Sequence, residues 1–420
     1  MTSLPAIKVS AQSDEGTIGR WLIASLALAI IGSVPVSDGD GFQQPALRAV
    51  FLVLGFVSLA LNTRRAGLSV TSAWRYFPLA LSIFLLWCAT SIFWSVNPTS
   101  TALRITETTF TFLYIQSFVF VAALVCENTK EFASLVASSF VIAVVAGLVI
   151  NILIFGTPFH YWINPDVPER PRFTFGFLHP LGTGDILAVG ILAAMFSNWR
   201  VWLKSLVAFG LFFLLSLSDS TGARFAILSI LPLSLILYGD SQASRWFKFF
   251  AAIFATAIGF AILIISFDNS PIAANFDQQN VRLLTLTGRV TIWNAIIDNG
   301  LASTGFGYGF DASRFMIGPL VGRAFHAHNQ FLNTLVEVGA VGFALFAALV
   351  ASWIWRLVNF GGLFPAALCT YVLLLSINNP GIFSKFPVML AFMVSYTLPL
   401  FFPRQHPQKP APMTAQTDDL

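Results

Sequence analysis

Apolar runs of roughly 16 to 24 residues recur along almost the whole chain, each about the length that crosses a hydrocarbon layer as a helix. Twelve can be marked, near residues 18–36, 46–61, 77–95, 107–126, 132–155, 181–199, 202–218, 222–239, 246–266, 329–355, 363–377 and 386–402. Backbone polar groups cannot stay open in lipid, so runs of this kind admit only a helical bundle. The composition agrees. Of 420 residues 56% are hydrophobic and 10% charged, against about 25% charged in a soluble domain. No water-facing surface can be built from so few charges. The fold expected is all-α, a polytopic membrane bundle of about twelve spans, and the 43 Phe and 11 Trp suit lipid-facing and interfacial positions.

The distribution of Lys and Arg predicts the orientation. With the N-terminus inside, thirteen cations fall in cytoplasmic segments, and ten fall outside: Arg48, Arg104, Arg170, Arg172, Arg224, Arg282, Arg289, Arg314, Arg323 and Lys385. Four of those ten lie in one long loop that the rule discounts, leaving thirteen against six. Both termini are therefore expected in the cytoplasm. The organisation read from the sequence is a cytoplasmic tail at 1–17, spans one to nine over 18–266 with an outer loop at 156–180, a long outer loop at 267–328, spans ten to twelve over 329–402, and a polar, proline-rich disordered tail at 403–420. The start lacks the basic region and small-residue cleavage site of a signal peptide, so the first span is expected to stay attached. The net charge of +4 is small and the basic residues dispersed, which gives no reason to expect nucleic acid. Cys88, Cys126 and Cys369 lie in or beside apolar runs without metal spacing and read as small hydrophobes.

Two outer loops exceed a tight turn. The stretch 156–180 holds five prolines together with His160, Arg170, Arg172 and His179, and is expected to form an ordered non-helical cap. In the second loop, GRVTIWNAIIDNG puts Val290, Ile292, Trp293, Ile296 and Ile297 on one apolar face, with Asn299 and Gly300 as stop signals. That pattern predicts an amphipathic helix on the outer leaflet. The following GFGYGF, Gly305 to Phe310, permits unusual backbone angles near a ligand, or simply a glycine-rich turn.

Candidate chemistry gathers where cations meet span ends. Arg224 opens the eighth span, five residues after Asp219; it is a functional candidate, or else half of a salt bridge joining two helix ends. Asp185, near the start of the sixth span, is as readily a structural partner for an outer arginine as a functional group. Arg289 heads the amphipathic helix, where a guanidinium would meet a phosphate. His326 and His328 stand at the mouth of the tenth span. No carboxylate accompanies them at ligand spacing, so no metal is expected, and His328 is better placed as a proton acceptor.

These residues carry a resemblance. His328 and Asn329, then Leu332, then Gly339 after six residues, with GRVTIW at Gly288 to Trp293 and the span-opening arginine in STGARFAIL, resemble landmarks of the O-antigen ligase and polymerase superfamily. The likeness covers about residues 170–350. It implies a GT-C-like bacterial inner-membrane glycosyltransferase, without cofactor, that uses a polyprenyl-diphosphate-linked glycan as donor and a saccharide as acceptor at the periplasmic face. Carried over by position, Arg224 and Arg289 would bind the donor diphosphate and His328 would act at the acceptor. Arg170 and Arg172 match in place though not closely in pattern and would be further diphosphate contacts, with His326, Asn329 and Asp219 in support. Arginines can stabilise charge developing on a diphosphate leaving group without a metal, and attack opposite that group would invert the anomeric centre.

The acceptor is either another lipid-linked glycan, making a polymerase of exopolysaccharide or O-antigen, or lipid A core, making a ligase; the balance leans slightly to polymerase. A lipid-linked-glycan transporter or flippase would share the many spans. Against it stand the lack of an internal repeat, the absence of acidic residues spaced through the spans, and the outer concentration of Arg and His. A peptidoglycan polymerase of similar topology would want an acidic catalytic residue in an outer loop; Asp268, Asp277, Asp298 and Asp311 are present without a recognisable setting.

Overall fold

The computed structural model describes residues 15–32, 43–65, 73–164, 167–176, 178–238, 289–321 and 326–402. Among them the chain is nearly all-α. Its helices are α1 (Glu15–Ile31), α2 (Gln43–Arg65), α3 (Leu79–Thr90), α4 (Pro98–Val125), α5 (Thr129–Phe155), α6 (Pro180–Phe196), α7 (Val201–Leu217), α8 (Thr221–Tyr238), α9 (Arg289–Asp298), α10 (Ser313–Val321), α11 (Gln330–Phe360), α12 (Leu363–Asn378) and α13 (Phe386–Thr397). Local sequence sets several starts. Asn97 accepts a hydrogen bond from the Ser100 N–H with Pro98 in the first turn of α4, and Asn128 accepts from Lys130 and Glu131 at the head of α5.

Three helices, α4, α5 and α11, are long and apolar enough to cross a membrane, and eight shorter apolar helices accompany them. Together these eleven coincide with eleven of the twelve apolar runs. The run at 246–266 lies outside the described residues, as do 267–288 of the long loop and the tail 403–420. Every residue of α13 is buried, and α6 is buried along most of its length. An apolar helix without a polar face belongs inside a bundle. Conversely, α7 leaves Val201 78% and Phe209 73% exposed, a surface matched to lipid rather than water.

The long helix α11 is broken at Gly339, where φ is +68° and ψ −173°. The break would orphan backbone groups inside the bundle, and the GFGYGF segment takes them up. Ala340 and Val341 donate their N–H groups to the carbonyls of Thr304 (3.0 Å) and Gly305 (3.2 Å). Val336 and Glu337 carbonyls accept from Tyr308 (3.1 Å) and Gly309 (2.8 Å). The Val338 carbonyl accepts from the Trp87 indole at 3.1 Å. Two helical hydrogen bonds are thus replaced by four to an inserted loop, which keeps the interior satisfied. Between the two readings of GFGYGF, this gives the glycines a structural role.

Two expectations need correction. The segment 156–180 is an ordered non-helical cap, but it makes the fold less than all-α: β1 (His160–Asn164) and β2 (Val167–Thr174) pair antiparallel, Trp162 opposite Arg172. The second concerns α9. Ile292 and Ile296 pack against Leu301, Ile317, Ala327 and Val336 of the protein itself, whereas Ile297 is 61% exposed. At 100° per residue Ile297 stands away from the face that Ile292 and Ile296 share. The packed side of this helix faces α10 and α11.

Candidate functional site

The connections entering α6, α8, α11 and α13 meet at one end of the bundle. At the head of α11, Asn329 accepts the Leu332 N–H at 3.0 Å, capping the helix, and donates to the Ile377 carbonyl of α12 at 3.2 Å. The preceding residue, His328, has φ +51°, a left-handed conformation that a branchless glycine would adopt more easily. The turn is held by its own side chains. The His328 N–H donates to His326 Nδ1 at 3.2 Å, and the two rings meet edge-on with centroids 4.1 Å apart. With Nδ1 accepting, the neutral His326 ring carries its proton on Nε2.

Helix α9 is pinned to the same turn. The Trp293 indole donates to the Ala327 carbonyl, between the two histidines, at 2.8 Å. Arg289, the first residue of α9, is one helical turn before Trp293, about 6 Å along the axis. Its backbone is thereby placed beside the histidine turn; its side chain lies outside the described residues.

A second group forms around Asp219, in the turn between α7 and α8, with φ +49°. Arg224, in the first turn of α8, hydrogen-bonds to Asp219 Oδ1, and Arg172 Nε of β2 lies 3.6 Å from Asp219 Oδ2. The salt bridge considered for Asp219 and Arg224 therefore exists, with Arg172 added to it. The Nε atoms of both arginines are buried and lack a hydrogen-bond partner. One carboxylate does not saturate two five-donor guanidiniums, so the pair keeps capacity for a further anion. Arg170 precedes Arg172 on β2, and its side chain lies outside the described residues.

Asp185 departs from expectation. Among the described residues its partners are not arginines: its Oδ2 accepts from Lys385 Nζ at 2.8 Å and its Oδ1 from the Tyr371 hydroxyl at 2.9 Å. This pair joins α6 to the head of α13 and to α12. A carboxylate 1% exposed requires such a partner, and lysine reaches it as a compact charge where the planar guanidinium forks are engaged on Asp219. In the sequence Lys385 bears only on orientation; a cation just before a span is the available signal.

His179 links the groups. It caps α6 by accepting the Leu181 N–H on Nδ1 at 3.3 Å and packs against Trp162 of β1, centroids 5.1 Å apart. The residue is exposed by surface area. Desolvation, then the positive fields of Lys385, Arg172 and His326, push its pKa down to about 4; the cations act in the same direction as desolvation. His179 is therefore neutral near pH 7. With Nδ1 accepting, the neutral ring carries its proton on Nε2.

Elsewhere the arginines have local partners. Arg104 bonds Glu107 at 2.7 Å and reaches Asp311 at 3.4 Å, and Arg314 lies 3.6 Å from Asp311. Asp311 thus lies between two cations. The side chain of Arg48 and residues Arg282, Arg323, Asp268 and Asp277 lie outside the described residues.

Cations, two imidazole groups and a hairpin at one end of an apolar helical bundle define a membrane-embedded protein with a polar site suited to an anionic ligand. Residues 186–347 match the family model described as O-antigen ligase (Wzy_C). The match covers 162 of the 420 residues, lies within the stretch whose motifs resemble the O-antigen ligase and polymerase superfamily, and supports that resemblance. No curated protein sequence is significantly similar to it. The matched segment contains Asp219, Arg224, Arg289, His326, His328, Asn329 and Gly339, whereas Arg170, Arg172, His179 and Lys385 lie outside it.

Proposed function

We propose that the protein is a bacterial inner-membrane glycosyltransferase of GT-C-like architecture, with about twelve spans and both termini cytoplasmic. It transfers a glycan from a polyprenyl diphosphate to a saccharide acceptor at the periplasmic face, with inversion and without a metal. Arg224 and Arg289, with Arg172 and Arg170, hold the donor diphosphate. The acceptor hydroxyl attacks the anomeric carbon, the bond from that carbon to the phosphate oxygen breaks, and polyprenyl diphosphate leaves with the electron pair. His328 takes the hydroxyl proton. Guanidinium donors aimed at the departing diphosphate stabilise the charge that develops there.

The observation that carries this reading is the placement of Arg172 and Arg224, with donors to spare, at the same end of the bundle as the histidine turn and the helix headed by Arg289. Polymerisation of a lipid-linked glycan is slightly favoured over ligation to lipid A core. The enzyme reading is favoured over a transporter because cations and imidazoles are concentrated at one end.

Alanine variants of Arg224, Arg289 and His328 test it. Each is expected to lower glycan transfer by about 100-fold or more while the protein still reaches the membrane. Wild-type transfer from all three removes the proposed site. Incubation with lipid-linked repeat units, with and without lipid A core, separates the acceptors: longer glycans without core identify a polymerase, product only with core a ligase.

A further inference from the structure

The peptide unit of Ala327, between the two histidines, is gripped from both sides. Its carbonyl accepts from the Trp293 indole at 2.8 Å, and its N–H donates to Asn333 Oδ1 at 3.2 Å. The two grips come from different helices, α9 and α11, and Ala327 itself is fully buried. The orientation of the Asn333 amide is in turn fixed. Its Nδ2 donates to Glu337 Oε1 at 2.7 Å, and that oxygen also accepts from the Ser313 hydroxyl at 2.8 Å. An asparagine bound to a carboxylate through Nδ2 must turn Oδ1 the other way, toward Ala327.

Glu337 is buried within the first half of α11, where an acidic side chain is costly and its retention asks for a reason. The left-handed backbone at His328 asks for one as well. A non-glycine residue in that region is strained and persists only where surrounding contacts over-determine it. The two oddities are one chain of hydrogen bonds apart.

We infer that Asn333, Glu337 and Trp293 are positioning residues that hold the His326–His328 turn, and hence the His328 imidazole, in its working geometry; this rests on the reading of His328 as the proton acceptor. Glu337 selects the amide orientation, Asn333 transmits it to the Ala327 N–H, and Trp293 ties the same peptide to the helix that Arg289 heads. The spacing is helical: Asn329, Asn333 and Glu337 recur every four residues on one face of α11.

The test uses the full-length protein in lipid nanodiscs, with the polyprenyl-diphosphate-linked glycan isolated from cells lacking this protein as probe. Asn333→Leu is expected to lower kcat about 10- to 100-fold, the scale of an ångström's misplacement of a reacting group. The donor KM should stay near wild type, because Arg172 and Arg224 lie on other elements. Glu337→Gln, which still accepts from Ser313 and Asn333, should retain most of the activity, whereas Glu337→Leu should behave as Asn333→Leu. Trp293→Phe keeps an aromatic ring at the position and removes the N–H with part of the indole; an expected drop of about 10-fold in kcat covers the case in which Asn333→Leu does not fold. The inference is overturned by a folded Asn333→Leu or Trp293→Phe with wild-type kcat, by a loss carried in donor KM instead, or by Glu337→Gln failing as badly as Glu337→Leu. Should His328→Ala remain active, the reading of that histidine fails; should it be dead while Asn333→Leu is fully active, only the positioning inference does.

Discussion

Gly339 of α11 and two glycines of the GFGYGF loop, Gly305 and Gly307, should respond very differently to alanine, and the pattern follows from the splice into α11. A Cβ at Gly339 would lie 2.5 Å from the Gly305 carbonyl carbon, and one at Gly307 would lie 2.5 Å from both the Glu337 carbonyl carbon and the Gly339 nitrogen. These are backbone atoms and cannot swing aside. Both positions also have positive φ, +68° and +76°. Gly305 has neither problem: nothing stands within 4 Å of its virtual Cβ. The dihedral strain of Gly339→Ala is about 1–3 kcal/mol. Relieving the overlap moves the loop outward and lengthens four hydrogen bonds, each contributing about 1 kcal/mol net. The total is on the order of 4 kcal/mol or more, a large part of a folding margin of about 5–15 kcal/mol. Thermal unfolding of the detergent-purified variants reads the outcome. Gly339→Ala and Gly307→Ala should fall sharply in Tm or fail to accumulate, and Gly305→Ala should stay within about 0.5 kcal/mol of wild type. If Gly305→Ala is as damaging as Gly307→Ala, or Gly339→Ala leaves Tm unchanged, the loop is not held as described. If Gly305→Ala abolishes transfer at unchanged Tm, the loop serves a ligand directly.

Two further outcomes follow from the charged groups. Lys385→Met leaves the Asp185 carboxylate, 1% exposed, with only the Tyr371 hydroxyl, so it should cost about 3–5 kcal/mol, and Asp185→Asn in the same chain should restore most of that; thermal unfolding of the single and double variants decides, and additive losses would refute the pairing. For His179, whose pKa is lowered from 6.5 to about 4, the unfolded chain binds a proton in that window that the folded chain does not, so stability should fall as pH falls from 6.5 toward 4. His179→Asn, which can still cap α6, should flatten that slope, and an unchanged slope would refute the assignment.

What was legible in the sequence was what lipid imposes locally. An apolar run must be continuous to cross hydrocarbon, so eleven runs read from residue order reappear as helices, and the stop signals Asn299 and Gly300 directly follow the last residue of α9, Asp298. The proline count correctly removed 156–180 from the helices. It did not disclose a hairpin, because Pro168 and Pro171 mask the strand pattern of β2, and prolines are admitted in a strand only where no ladder N–H is required. The pairings that assemble the site were not legible at all. Lys385 is 200 residues from Asp185, and Arg172 meets Asp219 across a helical pair, α6 and α7. Ion pairs and loop insertions depend on which helix ends share a space, and hydropathy is indifferent to that. Gly339 was visible as part of a motif; that only glycine fits where the loop enters the broken helix became visible with the loop in place.

Charge balance at this end of the bundle bears on how a ligand would enter. The described cations here have carboxylate partners: Arg172 and Arg224 share the single charge of Asp219 and Lys385 is paired with Asp185, while His179 is held neutral by desolvation and then by its cationic neighbours. The compensations differ in depth. Asp185 is 1% exposed and bound by two donors, so it has no lower-energy alternative; Asp219 is 35% exposed and sits on a turn with φ +49°. A carboxylate with access to water surrenders its partner at little cost. A diphosphate offers two guanidiniums several acceptor oxygens where Asp219 offers two, and it could reach the buried Nε donors that Asp219 leaves without a hydrogen bond. If a diphosphate binds here as proposed, Asp219 would keep the two arginines oriented until it arrives and then yield, whereas the Lys385–Asp185 pair would stay closed and fix the helix heads against which that exchange takes place.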